Sequence, residues 1–153
     1  MSHPEEKLAE LGLKLPEVAK PVAAYVPVVR TGNLVYTSGQ LPLRNGSLIA
    51  TGKNGDSINA EVGVECAQQC ALNALAAVKS EIGDLANVKR IVKVVAFVAS
   101  SPDFTGQPQV ANGASELFSQ VFGDAGQHAR SAVGVPVLPL DAPVEVEIIV
   151  EVA

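Results

Sequence analysis

The nine residues Val144–Val152, VEVEIIVEV, alternate apolar and acidic side chains with a single break at Ile149. Successive side chains of an extended strand point to opposite sides. Val144, Val146, Ile148, Val150 and Val152 therefore share one side, and Glu145, Glu147, Ile149 and Glu151 the other. A chain carrying such a strand must supply a sheet and something apolar to cover one face of it. The stretch INAEVGVECAQQCALNALAAVKSEIG, from Ile58 to Gly83, answers that need. Its Val64, Ala67, Ala71, Ala74, Val78 and Ile82 fall on one helical stripe, while Glu61, Glu65, Gln68, Asn73 and Glu81 fall mostly off it. A stripe made largely of alanine lets a helix lie close to a sheet, and Gly83 suits the position just past the last turn.

The remaining segments predict an α+β domain. AAYVPVVRTGNLVYTSG predicts strands at Ala24–Arg30 and Leu34–Ser38 around a tight turn at Gly32 and Asn33. GQLPLRNGSLIATGKNGDS reads as loop with one short strand near Ser47–Ala50. VKRIVKVVAFVAS is a strand by its β-branched content. SPDF opens a second helical region, with a break near Pro108, an apolar face through Val110, Leu117, Val121 and Phe122, and an end at Gly123. Strands near Arg130–Leu138 and Val144–Val152 follow. Residues 1–20 predict a short helical arm, capped by Ser2, with Glu5 and Glu6 in its first turn and Gly12 at its end. With no internal repeat and no dividing linker, residues 1–153 predict a single domain, a mixed sheet of about six strands with two helices on one face.

That arrangement leaves the second sheet face uncovered. Hydrophobic residues make up 48% of the chain against 18% charged, and the mean hydropathy is +0.27. No run of about 18 apolar residues occurs, so no membrane span is expected. The apolar surplus points to a subunit interface. A net charge of −5, only 11 Lys and Arg, 4% aromatic residues and no Trp remove the clustered cations and stacking platforms that nucleic-acid binding uses. The N-terminal stretch lacks a basic region followed by an apolar core, so it does not read as a secretory signal. Cys66 and Cys70, four apart on the long helix, suit neither a disulfide framework nor a redox pair. The expected compartment is the reducing cytoplasm.

Arg130 is the side chain that most needs an explanation. It stands at the start of an apolar strand, and its planar fork matches a carboxylate in a bidentate pair. Either it is held by Glu145 or Glu147 in a structural salt bridge, or it holds a carboxylate from outside. Glu145, in turn, is either an ordinary surface carboxylate or one set near Arg130 to orient water or relay a proton. Ser38 and Gly39, in YTSGQLP, offer a hydroxyl and an approachable backbone amide at a strand end, although turn chemistry also accounts for them. No Gly-x-Ser-x-Gly elbow and no phosphate-binding glycine motif is present. His3 and His128 are far apart and the two thiols supply at most two ligands, so neither a metal nor a nucleotide cofactor is expected.

GNLVYTSGQLP, the alanine-rich helix, VVAFVASSPDF and ARSAVGVPVLPLDAPVEVEIIVEVA together resemble the Rid family, also called YjgF or L-PSP endoribonuclease-like, from about Tyr25 to Ala153. The resemblance implies a chorismate-mutase-like fold assembled as a homotrimer, with a site in each cleft between subunits. In the deaminase branch it implies cofactor-independent hydrolysis of enamines and imines derived from amino acids, giving a 2-oxo acid and ammonia. Arg130 matches that family's carboxylate-binding arginine, Glu145 its water-associated glutamate, Tyr25 its site tyrosine and Ser38 its site-lining serine. The chain departs from the pattern at Ala132, where the deaminase branch often has cysteine. It departs again at VAAY, in place of a Gly-Pro before the tyrosine, and in a longer DFTGQPQVANGASELF segment. These departures imply a differently shaped pocket. Ala132 is compatible with a trimer that binds an imino acid or other small carboxylate without turnover, whereas the acidic balance counts against the ribonuclease or translation-inhibitor role attached to some members.

Overall fold

The computed structural model describes residues 3–18 and 24–153. In chain order the elements are α1 (Pro4–Glu10), β1 (Val28–Thr31), β2 (Leu34–Thr37), β3 (Leu43–Arg44), β4 (Ser47–Leu48), α2 (Ala60–Ile82), β5 (Val88–Ala99), α3 (Gln107–Phe122), β6 (Ala129–Val135) and β7 (Val144–Val152). Five strands form one mixed sheet in the order β1-β2-β7-β5-β6, with only β5 and β6 parallel. The alternating strand β7 is therefore central. Its Val144, Val146, Ile148, Val150 and Val152 are buried beneath α2 and α3, which both pack on that face.

The sheet has five strands, not about six. The strand expected near Ser47–Ala50 is half of a separate hairpin, in which β3 pairs only with β4. Asn45 and Gly46 connect the pair with φ of 54° and 83°. A type I′ turn needs positive φ at both central residues, which is why Asn-Gly specifies it. The first strand starts at Val28 and not at Ala24, since Pro27 has no N–H to give a ladder. β6 likewise stops at Val135, ahead of Pro136. SPDF forms a turn, with the Phe104 amide bonded to the Ser101 carbonyl at 3.0 Å. The helix begins at Gln107, so Pro108 sits in its first turn, where a missing N–H costs nothing.

The long helix α2 departs furthest from a surface helix. From Gln69 to Val78 every residue is buried, because the sheet, α3 and the Leu41–Arg44 segment enclose it on three sides. Asn73, expected off the apolar stripe, is consequently inside. It donates to the carbonyls of Leu41 at 2.9 Å and Leu43 at 3.0 Å and accepts from Gln69 at 3.0 Å. On its other side α2 nearly touches α3, where a Cβ at Gly113 would strike the Val64 carbonyl.

At the N-terminus the cap expected at Ser2 lies outside the described residues. His3 occupies the N-cap position of α1, its Nδ1 accepting from the Glu5 amide at 3.1 Å. The helix packs against α3 and the turn that follows α2, fastened there by a Glu5–Lys79 ion pair and a hydrogen bond between His3 Nε2 and Asp84 Oδ1 at 2.7 Å. Gly12, with φ of 73°, follows its last turn. Across the sheet, on the face away from α2 and α3, Val29, Tyr36 and Val133 are 52%, 40% and 43% exposed.

Candidate active site

Two groups of side chains come out of this architecture, one on each face of the sheet. The first is built by a bulge. β2 and β7 pair Tyr36 with Ile149 and then Gln40 with Val146, so three residues on one strand span two on the other. At the bulge the Thr37 hydroxyl accepts from the Ile148 amide at 3.0 Å, standing in for a backbone carbonyl. The extra residue lays the Gly39 backbone directly over Glu145, where any Cβ would overlap the carboxylate. Ser38 turns the other way. Its hydroxyl donates to the Val26 carbonyl at 2.6 Å and its amide to the Pro27 carbonyl at 2.8 Å, tying down the segment that carries the half-exposed Tyr25. Tyr25, Ser38, Gly39 and Glu145 thus belong to one neighbourhood. Burial, and secondarily the charge of Glu147, raises the carboxyl pKa of Glu145 above the ordinary glutamate value. A carboxyl so displaced exchanges protons closer to neutrality than a solvated one.

The second group surrounds Arg130. In the parallel β5–β6 ladder Arg130 pairs with Val94, a core residue on the helix-covered face, so its side chain enters on that face. Its Nη1 donates to Asn112 Oδ1 at 2.8 Å and to Ser115 Oγ at 3.2 Å, both on α3. Ser115 Oγ lies 2.8 Å from His128 Nε2, and His128 Nδ1 lies 2.6 Å from the Gly126 carbonyl. Phe118 meets the imidazole edge to face at 5.9 Å. None of the ion pairs among the described residues includes Arg130.

The salt bridge weighed for Arg130 is therefore not formed. Glu145 pairs in register with Phe97, which shares the open face with Val133, and β5 separates β7 from β6. Within one copy Glu145 is not beside Arg130; the two occupy opposite faces of the sheet. Asn112, Ser115 and His128 had no motif to announce them. Their signal is weaker: two polar residues three apart, on the α3 face that packs against β6, ahead of an arginine strand. Ala132 lies two residues beyond Arg130 on the same side, packed against the core with no thiol to offer. The two thiols of the chain are elsewhere and protonated, burial pushing Cys66 up to about 11 and holding Cys70 well above the ordinary thiol value. A cavity of about 970 Å³ between Leu13–Val18, β3 and α2 includes none of the residues of either group.

Residues 5–152 match the family described as "YjgF/chorismate mutase-like, putative endoribonuclease". The chain is similar to Protein TCP17 of Trypanosoma cruzi, 47% identical over 145 residues covering 94% of this chain and 91% of that one. It is 33% identical over 140 residues to a 2-iminobutanoate/2-iminopropanoate deaminase of Dermatophagoides farinae, covering 90% of this chain and 93% of the relative. Among solved structures, Atu1372 of Agrobacterium tumefaciens, a protein of unknown function, superposes with a TM-score of 0.92 at 44% identity, over 98% of this chain and 93% of that one.

Proposed function

The chain belongs to the YjgF/chorismate mutase-like family, and from that premise we propose that it hydrolyses 2-imino acids, and the enamines that precede them, to 2-oxo acids and ammonia. One observation carries this reading. Arg130 is a half-buried cation whose partners among the described residues are all neutral, so its charge is met only when an anion arrives. The substrate carboxylate is that anion. Glu145 supports the remaining chemistry, since a carboxyl with a raised pKa can both give and take a proton. The protonated form delivers a proton to the enamine carbon, giving the iminium form of the imine and the Glu145 carboxylate. The carboxylate so formed accepts a proton from water as the oxygen bonds to the imine carbon. The protonated Glu145 then gives its proton to the carbinolamine nitrogen, the C–N bond breaks and ammonia leaves, and the hydroxyl proton returns to the Glu145 carboxylate as the C=O forms. Orientation and one acid–base group suffice for a substrate that is already electrophilic.

Because the two groups lie on opposite faces, the site is complete only between copies: Arg130 of one meets Tyr25, Ser38, Gly39 and Glu145 of the next. A homotrimer has three such clefts by symmetry. RNA is disfavoured as a substrate by the net charge of −5. No helix among the described residues is long and apolar enough to cross a membrane.

The test generates a short-chain 2-imino acid with an amino-acid oxidase and traps what survives with semicarbazide. The native protein should lower the trapped fraction, and Arg130→Ala should lose about 100-fold or more in kcat/KM through loss of a charge-assisted bidentate contact. A native rate equal to background across several side chains would overturn hydrolysis as the function.

A further inference from the structure

Resting on that reading, we propose that Asn112 and Ser115 are positioning residues that present one chosen edge of Arg130 to the substrate, with His128 setting the direction of the Ser115 hydroxyl. A guanidinium has five N–H donors in a rigid plane. Both hydrogens of Nη1 are taken, one by Asn112 Oδ1 and one by Ser115 Oγ, and Nε and Nη2 make no hydrogen bond to the described residues. Nε–H and Nη2–H lie side by side on the edge away from Nη1, which is the fork that grips both oxygens of a carboxylate. The two α3 side chains thus leave free the edge that ligand binding uses and occupy the group that would otherwise swing.

The hydrogen-bond directions are mutually consistent along the whole chain of contacts. The Gly126 carbonyl can only accept, so His128 Nδ1 carries a proton. With Nδ1 carrying the one proton of a neutral imidazole, Nε2 is an acceptor and the Ser115 hydroxyl donates to it. That leaves the Ser115 oxygen lone pairs facing Arg130, ready to accept from Nη1. Holding a long, rotamer-rich side chain before the ligand arrives removes an ordering cost from binding. Neutral acceptors achieve this without cancelling the charge, which an aspartate at position 112 would do.

The experiment measures 2-oxobutanoate binding by calorimetry together with imine turnover, on the native protein, Arg130→Ala, Asn112→Asp, Ser115→Ala and Ser115→Thr. Asn112→Asp supplies an internal counter-ion and should weaken 2-oxobutanoate binding about tenfold or more, raising KM while kcat stays near native. Ser115→Ala should weaken binding several-fold, and Ser115→Thr, which keeps the hydroxyl, should restore it. If Asn112→Asp and Ser115→Ala bind as the native protein does while Arg130→Ala fails, positioning is overturned and the hydrolytic reading stands. Should Asn112→Asp prove unstable on melting, the Ser115 pair decides, and equal weakening by Ala and Thr overturns the inference. If the native protein neither binds nor turns over, the hydrolytic reading falls and this inference with it.

Discussion

A carboxylate half withdrawn from water and faced by a second carboxylate costs the fold more when charged than when neutral, and Glu145 is in that position beside Glu147. Its pKa is raised by folding, so its contribution to stability is fully present below the unfolded value of about 4.5 and is lost as pH rises through the folded value. Glu145→Gln should accordingly unfold at higher denaturant than the native protein at pH 7, with the difference vanishing at pH 4, while turnover is lost at both. A difference that persists at pH 4 would assign the effect to packing and not to charge. At this scale the sequence was legible in part. The types and spacing of Arg130 and Glu145 could be read directly, but their faces could not. The face of Arg130 depends on a parallel register with Val94, set across an intervening helix, and no local pattern reports it. Asn112 and Ser115 were hidden for a related reason, since polar residues on a helix read as solvent-facing until the neighbour on that side is known.

Helix α2 and helix α3 approach so closely that the contact depends on a single absent side chain. A methyl at Gly113 would meet the Val64 carbonyl and the Ala67 side chain, and a backbone carbonyl inside a buried helix has nowhere to move. Gly113→Ala should therefore cost about 1–3 kcal/mol by overpacking, despite alanine's better helix propensity, and a denaturant titration reads it directly. A stabilised protein would show that the helices can part without loss. Elements with one strong period, such as β7 and the α2 stripe, could be read from sequence almost to the residue. The Asn45–Gly46 hairpin also carried its signal and was obscured by the glycine-rich loop around it. The all-round burial of α2 could not be read, because Asn73 is accommodated by carbonyls of a segment some thirty residues away.

For the whole molecule the decisive feature is that Arg130 and Glu145 occupy opposite faces of the sheet within one copy, so that the proposed site needs two copies to form. Chains carrying Arg130→Ala and chains carrying Glu145→Ala should each be inactive alone. Mixed and reassembled, they should regain about a quarter of native turnover, the share of random interfaces that join an intact arginine to an intact glutamate. No recovery in mixed trimers would mean that both groups serve a site from the same chain. The exposed apolar side chains Val29, Tyr36 and Val133 are the surface that the proposed assembly would bury. The central place of β7 has a consequence for biosynthesis. It is the last of the sheet strands in chain order, yet it separates β2 from β5 and pairs with both. Until it is made, the β1–β2 hairpin and the β5–β6 pair are two fragments with no shared ladder, and the loop closures that join them span most of the chain. A nascent chain interrupted before Val144 would thus lack the middle of its sheet and not its margin, leaving two strand edges open to other chains.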